Sequence, residues 1–406
     1  MDERIDLKKS GKLKDNITRF RQDKRLAVVG ALRSLALLGM LAIVVFCIFR
    51  YHEDLAPSNL KRLSAYLKTA NAASDPFTEY RFESGLNTCC APFRTGLAVI
   101  SGDTYSFVSG TGNLYSLQLD YRTPAICASD KYVLIYDRGG KSFCVANSYA
   151  EYLRDALTSP IISASMNRES DFALVTNEEG YRSAVTVYNG RQKFLCKWMT
   201  SQFYVLSASV SPRGDAFAAL CLSEEQLEAR TEIRYFTIGR ETPDWSFSLG
   251  EKQVYSLTHD NSGGLLILCD DGLYRLDKDG RQTASIPFSA PPIRFSAQEG
   301  GDLLIAFSNA DQGAQSTLVW VVGDEGRILW RDSYPGTLCA VDCAEDTACV
   351  LTGDRLYAVR YRDENQPRHW LAHSGARDVV VHRAGNPILI YSDRAETVAF
   401  AEKEGA

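Results

Sequence analysis

The sequence predicts an all-β protein, a β-propeller of four-stranded blades, preceded by one N-terminal transmembrane helix. Three observations predict it. A similar segment recurs roughly every 35–50 residues beyond residue 80, the period of a propeller blade. Aromatic residues, which favour strands, make up 11% of the chain, and an uncharged apolar stretch lies near the N-terminus. A chain of 406 residues is also long for one compact core unless that core is a closed sheet or a repeat array.

The apolar stretch predicts a membrane anchor. Residues 34–49 carry no charge, and residues 26–32 extend the apolar stretch upstream, interrupted only by Arg33. About 20 residues cross a bilayer core, so we expect a transmembrane helix over residues 26–50, with Arg33 near the cytoplasmic boundary. Residues 1–25 carry nine Lys or Arg against five Asp or Glu. This basic tail predicts a cytoplasmic N-terminus and an extracytoplasmic body.

Two alternatives compete with the anchor. A cleaved signal peptide needs a small-residue cleavage site, whereas RYHED follows the apolar stretch at residues 50–54. A buried core helix is the other alternative, but a β-rich body explains such an apolar helix poorly. We therefore expect an uncleaved signal anchor in the cell membrane, single-pass, with the lipid bilayer around residues 26–50.

Residues 51–78 are interpreted as a juxtamembrane stalk. Asn59 is a suitable cap for a short helix in which three leucines share one face at helical spacing, namely Leu60, Leu63 and Leu67. That face either lies on the membrane surface or packs under the body, and the interpretation as a spacer is the simpler one. The propeller is then predicted over residues 79–406.

The repeat joins an apolar strand, a small polar turn and a second, strongly apolar strand. Short strands separated by polar turns are typical of all-β folds. The copies lie at residues 93–100 (a degenerate one), 129–136, 167–175, 211–220, 260–269, 297–307, 343–351 and 383–391.

The later part of the unit repeats too. A third strand and a glycine-bearing hairpin follow at residues 184–199, 272–286 and 317–333. Four of the five tryptophans lie near the end of a unit, namely Trp198, Trp245, Trp330 and Trp370. We expect them in outermost strands, where each ring can cover the adjacent blade.

Counting the copies gives eight blades, with seven as the alternative because the first copy is weak. The last copy needs one more strand after residues 398–400. Residues 79–83 precede the first copy and are suited to supply it. Pairing the two ends of the chain in one blade would close the ring and remove its open edge.

Two segments carry a resemblance to a known family. YDRGGKSF at residues 136–143 and YRSAVTVY at residues 181–188 resemble an uncharacterised family of membrane-anchored β-propeller proteins of Gram-positive, largely anaerobic bacteria. The resemblance covers most of the chain and implies no catalytic, cofactor or metal residues, because the family has no assigned activity. GDEGRILW at residues 323–330 is similar to blades of quinoprotein-like and WD40-like propellers. Such blades occur in dehydrogenases and in assembly scaffolds, so this similarity concerns architecture.

Two short motifs have structural explanations. Gly140-Lys141-Ser142 resembles the end of a phosphate-binding loop, but Ile135 stands where the first glycine of that loop is needed. A hairpin turn explains these glycines. Arg213-Gly214-Asp215 spells an adhesion tripeptide, and a β-turn between the first two strands of a blade explains it equally well.

The eleven cysteines divide into groups. Cys47 lies in the predicted span. Five occupy apolar strands, where cysteine behaves as a small buried hydrophobe: Cys127, Cys144, Cys196, Cys221 and Cys269. Whether the others pair or bind metal stays open, although their spacing matches no zinc signature: Cys89, Cys90, Cys339, Cys343 and Cys349. We predict no metal and no cofactor.

Charge and motifs favour a scaffold. Residues 34–406 carry 45 Asp or Glu against 35 Lys or Arg, a net charge of about −10, without a dense basic patch, which argues against nucleic acid. Carboxylates at strand ends are interpreted as solvated turn residues, namely Asp270, Asp271, Asp342 and Asp393. We expect a non-enzymatic platform that binds a protein or a cell-envelope polymer on one face, where the charged loop at residues 223–231 projects. The alternative is a cell-surface hydrolase or quinoprotein-like oxidoreductase, for which several carboxylates or a metal should line the central funnel.

Overall fold

A computed structural model describes residues 32–42, 44, 77–83, 88–110, 112–225, 228–297, 301–309, 316–363, 365, 368–382 and 386–399. The chain divides into two compact units, Met1–Ala65 and Tyr66–Ala406. In the first unit, residues 32–42 and 44 are helical and lie within the predicted span. Among the described residues, no helix has the length and apolar character needed to cross a membrane. The basic tail, the predicted stalk helix and Cys47 lie outside the described residues.

In the second unit, the described residues form eight antiparallel four-stranded sheets, the blades of a propeller. In blades 1–7 the strands follow chain order from the innermost to the outermost. Blades 1 and 2 consist of β2 Cys89–Phe93, β3 Gly96–Ser101, β4 Thr104–Ser109 and β5 Gly112–Gln118, then β6 Pro124–Ala128, β7 Val133–Asp137, β8 Ser142–Ala146 and β9 Glu151–Ala156. Blades 3 and 4 consist of β10 Ile161–Met166, β11 Phe172–Thr176, β12 Ser183–Tyr188 and β13 Phe194–Thr200, then β14 Tyr204–Val210, β15 Ala216–Glu225, β16 Glu228–Thr237 and β17 Trp245–Gly250.

Blades 5–7 repeat this order. Blades 5 and 6 consist of β18 Val254–His259, β19 Leu265–Cys269, β20 Gly272–Leu276 and β21 Gln282–Pro287, then β22 Arg294–Ser296, β23 Leu303–Asn309, β24 Ser316–Val322 and β25 Ile328–Pro335. Blade 7 consists of β26 Leu338–Ala344, β27 Thr347–Thr352, β28 Arg355–Arg360 and β29 Arg368–Ala372.

Blade 8 closes the ring with both ends of the chain. Its inner three strands are β30 Asp378–Val381, β31 Pro387–Ile390 and β32 Arg394–Thr397. The outermost strand is β1 Glu79–Arg81, in which Tyr80 pairs with Ala395. The prediction that residues 79–83 supply the closing strand is therefore confirmed, as are the all-β propeller and the count of eight.

The core is divided among the contacts between blades. Each of eight buried apolar clusters lies between two neighbouring blades, and the last contains residues of blades 8 and 1. Because both faces of a blade are covered, its second strand is apolar throughout. In β7 all five residues are buried. Outermost strands instead alternate between covered and exposed residues, as β13 does.

The predicted repeats fall where the sequence places them, across the turn between the first and second strands of a blade. All four repeat tryptophans lie in outermost strands, and the ring of Trp198 contacts Phe236 of the next blade at 4.6 Å between centroids. Trp370 departs from the expectation that every ring covers the adjacent blade. It is 57% exposed and its ring contacts Arg355 of its own blade. The adjacent blade 8 has strands of three or four residues only, so it offers little surface for this ring.

The loop predicted over residues 223–231 is wrong as a loop. β15 and β16 continue as a regular hairpin in which Ser223 pairs with Arg230, and only residues 226–227 lie outside the description. Both faces of these strand ends are exposed, so their residues are polar and charged and lack the apolar alternation that predicts a strand. This extended hairpin rises above the rest of blade 4.

Candidate functional site

The eight innermost strands surround a central channel, in which neighbouring innermost strands contact one another from blade to blade. We call the end where these strands begin the upper end, and the end where they finish the lower end. The turns between second and third strands lie at the upper end. Each innermost strand pairs with a neighbouring strand along one edge only, so its other edge faces the channel.

Hydrogen bonds from small side chains connect the innermost strands around the channel. The Cys89 thiol donates to Pro124 O at 3.2 Å, and the Cys127 thiol donates to Ala164 O at 3.4 Å. Ser163 Oγ then donates to Leu206 O at 2.8 Å. These bonds connect blade 1 to 2, blade 2 to 3 and blade 3 to 4. They satisfy carbonyl groups near the exposed strand edge and fix the height of each blade against the next.

The connection between blades 4 and 5 uses a buried histidine. Ser209 Oγ accepts the backbone N–H of His259 at 3.2 Å and lies 2.7 Å from His259 Nδ1. Burial lowers the pKa of His259 to about 3, so the imidazole is neutral near pH 7.

Asp342 connects three blades. In β26 its carboxylate accepts Ser296 Oγ from blade 6 at 2.5 Å and the backbone N–H of Val381 from blade 8 at 2.7 Å. Burial raises the pKa of Asp342 to about 6, although both hydrogen bonds favour the ionised form. The interpretation of Asp342 as a solvated turn residue is wrong. The residue lies two positions before the strand end, and only the arrival of blades 6 and 8 buries it.

An apolar collar surrounds the upper entrance of the channel. The innermost strands of blades 3, 4, 5 and 7 each contain a β-bulge near their start, and the inserted residues are apolar. With two neighbouring residues of blade 6, they define the collar as Ile162, Leu206, Tyr255, Ile293, Phe295 and Cys339.

The collar is accessible and aromatic on one side. Leu206 is 42% exposed, and a residue of an innermost strand can reach solvent only at the channel or at the upper rim. The rings of Tyr255 and Phe295, from adjacent blades, have centroids 6.3 Å apart. The bulge explains this exposure, since an inserted residue leaves the alternation that buries its neighbours between blades.

A cavity of about 510 Å³ occupies the lower half of the channel. All eight blades contribute to its wall through their innermost strands or the residues that directly follow. The wall combines apolar side chains with serine, threonine and histidine side chains, and Tyr255 belongs both to this wall and to the collar. Its charged side chains are Arg94, Arg168 and Asp130.

The charged side chains gather at the lower rim. Arg168 lies 3.3 Å from the Asp130 carboxylate of blade 2 and 3.7 Å from the Glu345 carboxylate of blade 7. Arg94 donates to Ser148 Oγ at 3.2 Å and adopts the left-handed conformation with φ of 52°. Asp130, the one carboxylate among the lining residues, is thus paired with a guanidinium.

The comparison with protein families identifies the chain. A profile described as "Family of unknown function (DUF5711)" matches residues 75–398, the whole propeller. The chain is a member of the DUF5711 family. Among curated proteins, none matches the chain.

Solved propellers share this DUF5711 fold at low identity. BamB from Moraxella catarrhalis is 12% identical with a TM-score of 0.50, over 79% of this chain and 98% of that one. The C-terminal WD40 domain of Sif2 is 14% identical with a TM-score of 0.57, over 80% and 99%. Sqt1 from Chaetomium thermophilum, solved with the N-terminus of ribosomal protein L10, is 10% identical with a TM-score of 0.53, over 80% and 100%. At these identities, the likeness concerns the fold alone.

The motifs of this DUF5711 chain lie in turns. Gly140-Lys141-Ser142 turns from β7 into β8 at the upper end, and Arg213-Gly214-Asp215 turns from β14 into β15 at the lower end. None of the ten described cysteines forms a disulfide. Within the described residues, no group of three or more His, Cys, Asp or Glu is arranged for a metal ion. The sequence analysis missed the collar. The available signal was a large residue, such as Leu206 or Tyr255, near the start of an innermost strand that otherwise contains many small residues.

Proposed function

We propose that the protein is a membrane-tethered, extracytoplasmic scaffold that binds a protein partner with the upper end of its propeller. The observation that carries this proposal is the apolar collar. Monomeric proteins seldom leave adjacent aromatic and aliphatic side chains exposed at a concave rim unless something binds there. A protein partner can insert an apolar side chain into the collar and bond the surrounding loops.

The surroundings of the collar suit a protein partner. Tyr204 stands beside Leu206 at the start of the same strand, is exposed, and carries the guanidinium of Arg182 4.9 Å above its ring. The extended hairpin of blade 4 rises next to these residues with ion-paired charges on its surface, such as Arg230 with Glu228. A central apolar patch bordered by charged and aromatic groups is the usual composition of a protein interface.

The propeller begins at the end of the ring opposite the collar. The chain enters the propeller at the lower end through Phe77, which is buried between blades 8 and 1. The collar lies at the opposite end. The tether itself is proposed from the sequence, in which residues 26–50 form the anchor and residues 1–25 place the N-terminus in the cytoplasm.

Two solved relatives in fold lend this proposal general support. Sqt1 binds the N-terminus of a ribosomal protein, as its structure states, and BamB is another propeller of this architecture. These likenesses say that the architecture can serve protein binding. They assign no partner here, because the shared fold carries many functions.

Site-specific photocrosslinking tests the proposal. A benzoylphenylalanine placed at Leu206 in the full chain, in its cell of origin, should give a discrete protein adduct on irradiation. The same group at Phe194 is the matched control, since Phe194 is 58% exposed on the outermost strand of blade 3. An adduct at both positions, or at neither, would argue against the collar as a binding surface.

The adduct must also depend on collar chemistry. Adding Phe295→Ser to the Leu206 photoprobe chain should remove the adduct, because it replaces one exposed collar ring by a hydroxyl. Adding Leu371→Ser, which changes an exposed leucine of the outermost strand of blade 7, should leave it. Persistence of the adduct in the Phe295→Ser chain would contradict the proposal.

A further inference from the structure

The cavity in the lower half of the channel meets the collar at Tyr255 and differs from it by the charged side chains at its lower rim. At about 510 Å³ it falls in the range that small organic ligands occupy, roughly 300–1,000 Å³. Its wall combines apolar side chains, with Met166, Leu257 and Tyr255 among the larger ones, and serine and threonine side chains. The charged groups stand together at its lower rim. A ligand that fills it would place its charged group at the rim and its apolar part against Met166, Leu257 and Tyr255.

The rim selects the sign of that polar group. Asp130 is paired with Arg168, whereas Arg94 has no carboxylate within ion-pair distance among the described residues. Arg94 is half-buried and lines the cavity, with one hydrogen bond to the Ser148 hydroxyl. Removal of a guanidinium from water without a counter-charge is unfavourable, and an anion at the rim would offset it.

A second polar atom in the wall lacks a partner. Ser165 Oγ is buried, lines the cavity and makes no hydrogen bond within the described part of the chain. Buried hydroxyls normally have a partner, and a ligand oxygen would supply one here. Ser165 lies three residues before Arg168, on the innermost strand that leads to it.

We propose that this cavity binds a monocarboxylate carried on an apolar body. The carboxylate lies between the guanidinium groups of Arg94 and Arg168, and the body fills the apolar part of the channel below Tyr255. Two sources share the required chemistry, a free organic acid and the C-terminal carboxylate of a peptide with an apolar last residue.

Titration of the full chain in lipid nanodiscs with matched ligands tests this. By isothermal titration calorimetry, 3-phenylpropanoate should bind at least tenfold more tightly than 3-phenylpropanol or 3-phenylpropylammonium. The peptide Gly-Gly-Phe with a free carboxylate, compared with its C-terminal amide, is the second arm. Preference for either acid over its uncharged counterpart supports the site and identifies the source. Equal binding within both sets overturns it.

Variants tie the binding to the cavity. Arg94→Gln should weaken binding of the acid by roughly tenfold to hundredfold, the usual effect of losing a hydrogen bond to a charged group. Arg213→Gln is the matched control, since Arg213 is exposed on the corresponding turn of blade 4 and does not line the cavity. Equal affinities in these two variants would overturn the proposal.

A steric variant serves if Arg94→Gln does not fold. Ala297→Phe places a ring in the cavity wall from the turn after β22 and leaves every charge in place. It should abolish binding of the acid, and unchanged binding would overturn the proposal. The collar lies at the other end of the channel, so crosslinking at Leu206 and acid binding can fail independently.

Discussion

The guanidinium of Arg168 lies 3.7 Å from the carboxylate of Glu345, although the two residues belong to blades 3 and 7, four positions apart in a ring of eight. Their side chains meet across the lower mouth of the channel. The same guanidinium contacts Asp130 of blade 2 at 3.3 Å. The side chain of Arg168 therefore crosses and narrows the lower mouth of the cavity, which Cys127 helps to line.

Loss of this crossing should open the cavity. We expect Arg168→Ala to increase the rate at which a bulky maleimide modifies Cys127 several-fold, because the mouth widens. Stability should change by less than about 1 kcal/mol, since the ion pairs are largely exposed. Peptide mass spectrometry of timed reactions measures the rate. Arg213→Ala is the control, and Cys343 should stay unmodified because burial raises the pKa of its thiol well above the usual range.

The carboxyl group of Asp342 should make stability depend on pH. Its pKa rises from 3.8 to about 6 on folding, so the folded protein holds this proton more tightly than the unfolded chain. The resulting contribution is full below about pH 4 and is lost as pH rises through 6. Relative to Asp342→Asn, the wild-type chain should lose up to roughly 3 kcal/mol of unfolding free energy between pH 4 and pH 7.

Urea unfolding of both chains at several pH values measures this difference. Asp279→Asn, a change at an exposed turn residue, should run parallel to the wild type over the same range. A constant difference between wild type and Asp342→Asn across pH 4–7 would mean that the three-blade connection does not titrate as proposed.

Phe77 should contribute strongly to the closed ring. It is 3% exposed within the cluster between blades 8 and 1, so Phe77→Ala should lower the unfolding free energy by about 3–5 kcal/mol. Phe194→Ala removes the same ring from an exposed position and should change it by less than about 0.5 kcal/mol. Thermal unfolding of the full chains compares them, and similar midpoints would show that closure does not depend on this segment.

Gly96 should tolerate no side chain. A Cβ at this position would overlap the carbonyl oxygen of Val108 on the adjacent strand, where backbone cannot yield cheaply. We expect Gly96→Ala to destabilise by more than about 2 kcal/mol. Gly353→Ala meets nothing within 4 Å and should be nearly neutral. Denaturant unfolding distinguishes them, and equal midpoints would contradict the packing between β3 and β4.

The architecture was accessible to sequence reasoning because each blade repeats one local pattern. The polar turn between two apolar strands at residues 211–220 has a counterpart in each of the other seven blades. Counting the strands of the last copy shows that one is missing, which predicts the closing strand near Tyr80. Strand patterning is local, so one sequence suffices. The hairpin of blade 4 failed this reasoning because its exposed strands carry no alternation.

The channel was not accessible in the same way. The partners of Asp342 are Ser296 and Val381, each about 40 residues away in different units, and nothing near Asp342 in sequence announces them. The cavity likewise takes one or a few residues from every blade. The bulge that exposes Leu206 is a one-residue shift in the pairing of β14 with β15. It is visible only when both strands are compared, so the sequence around Leu206 does not reveal it.

The pairing of Tyr80 with Ala395 also determines when the ring can close during synthesis of the chain. These residues are 315 positions apart (395 minus 80), and a ribosome adds about 5–20 residues per second, so roughly 15–60 s separate their synthesis. Blades 1–7 are each continuous in sequence and can form in turn as the chain emerges. During this time β1 lacks its partner strand β32, so its backbone hydrogen-bonding groups stay without strand partners. The ring can therefore close only after β32 has been synthesised.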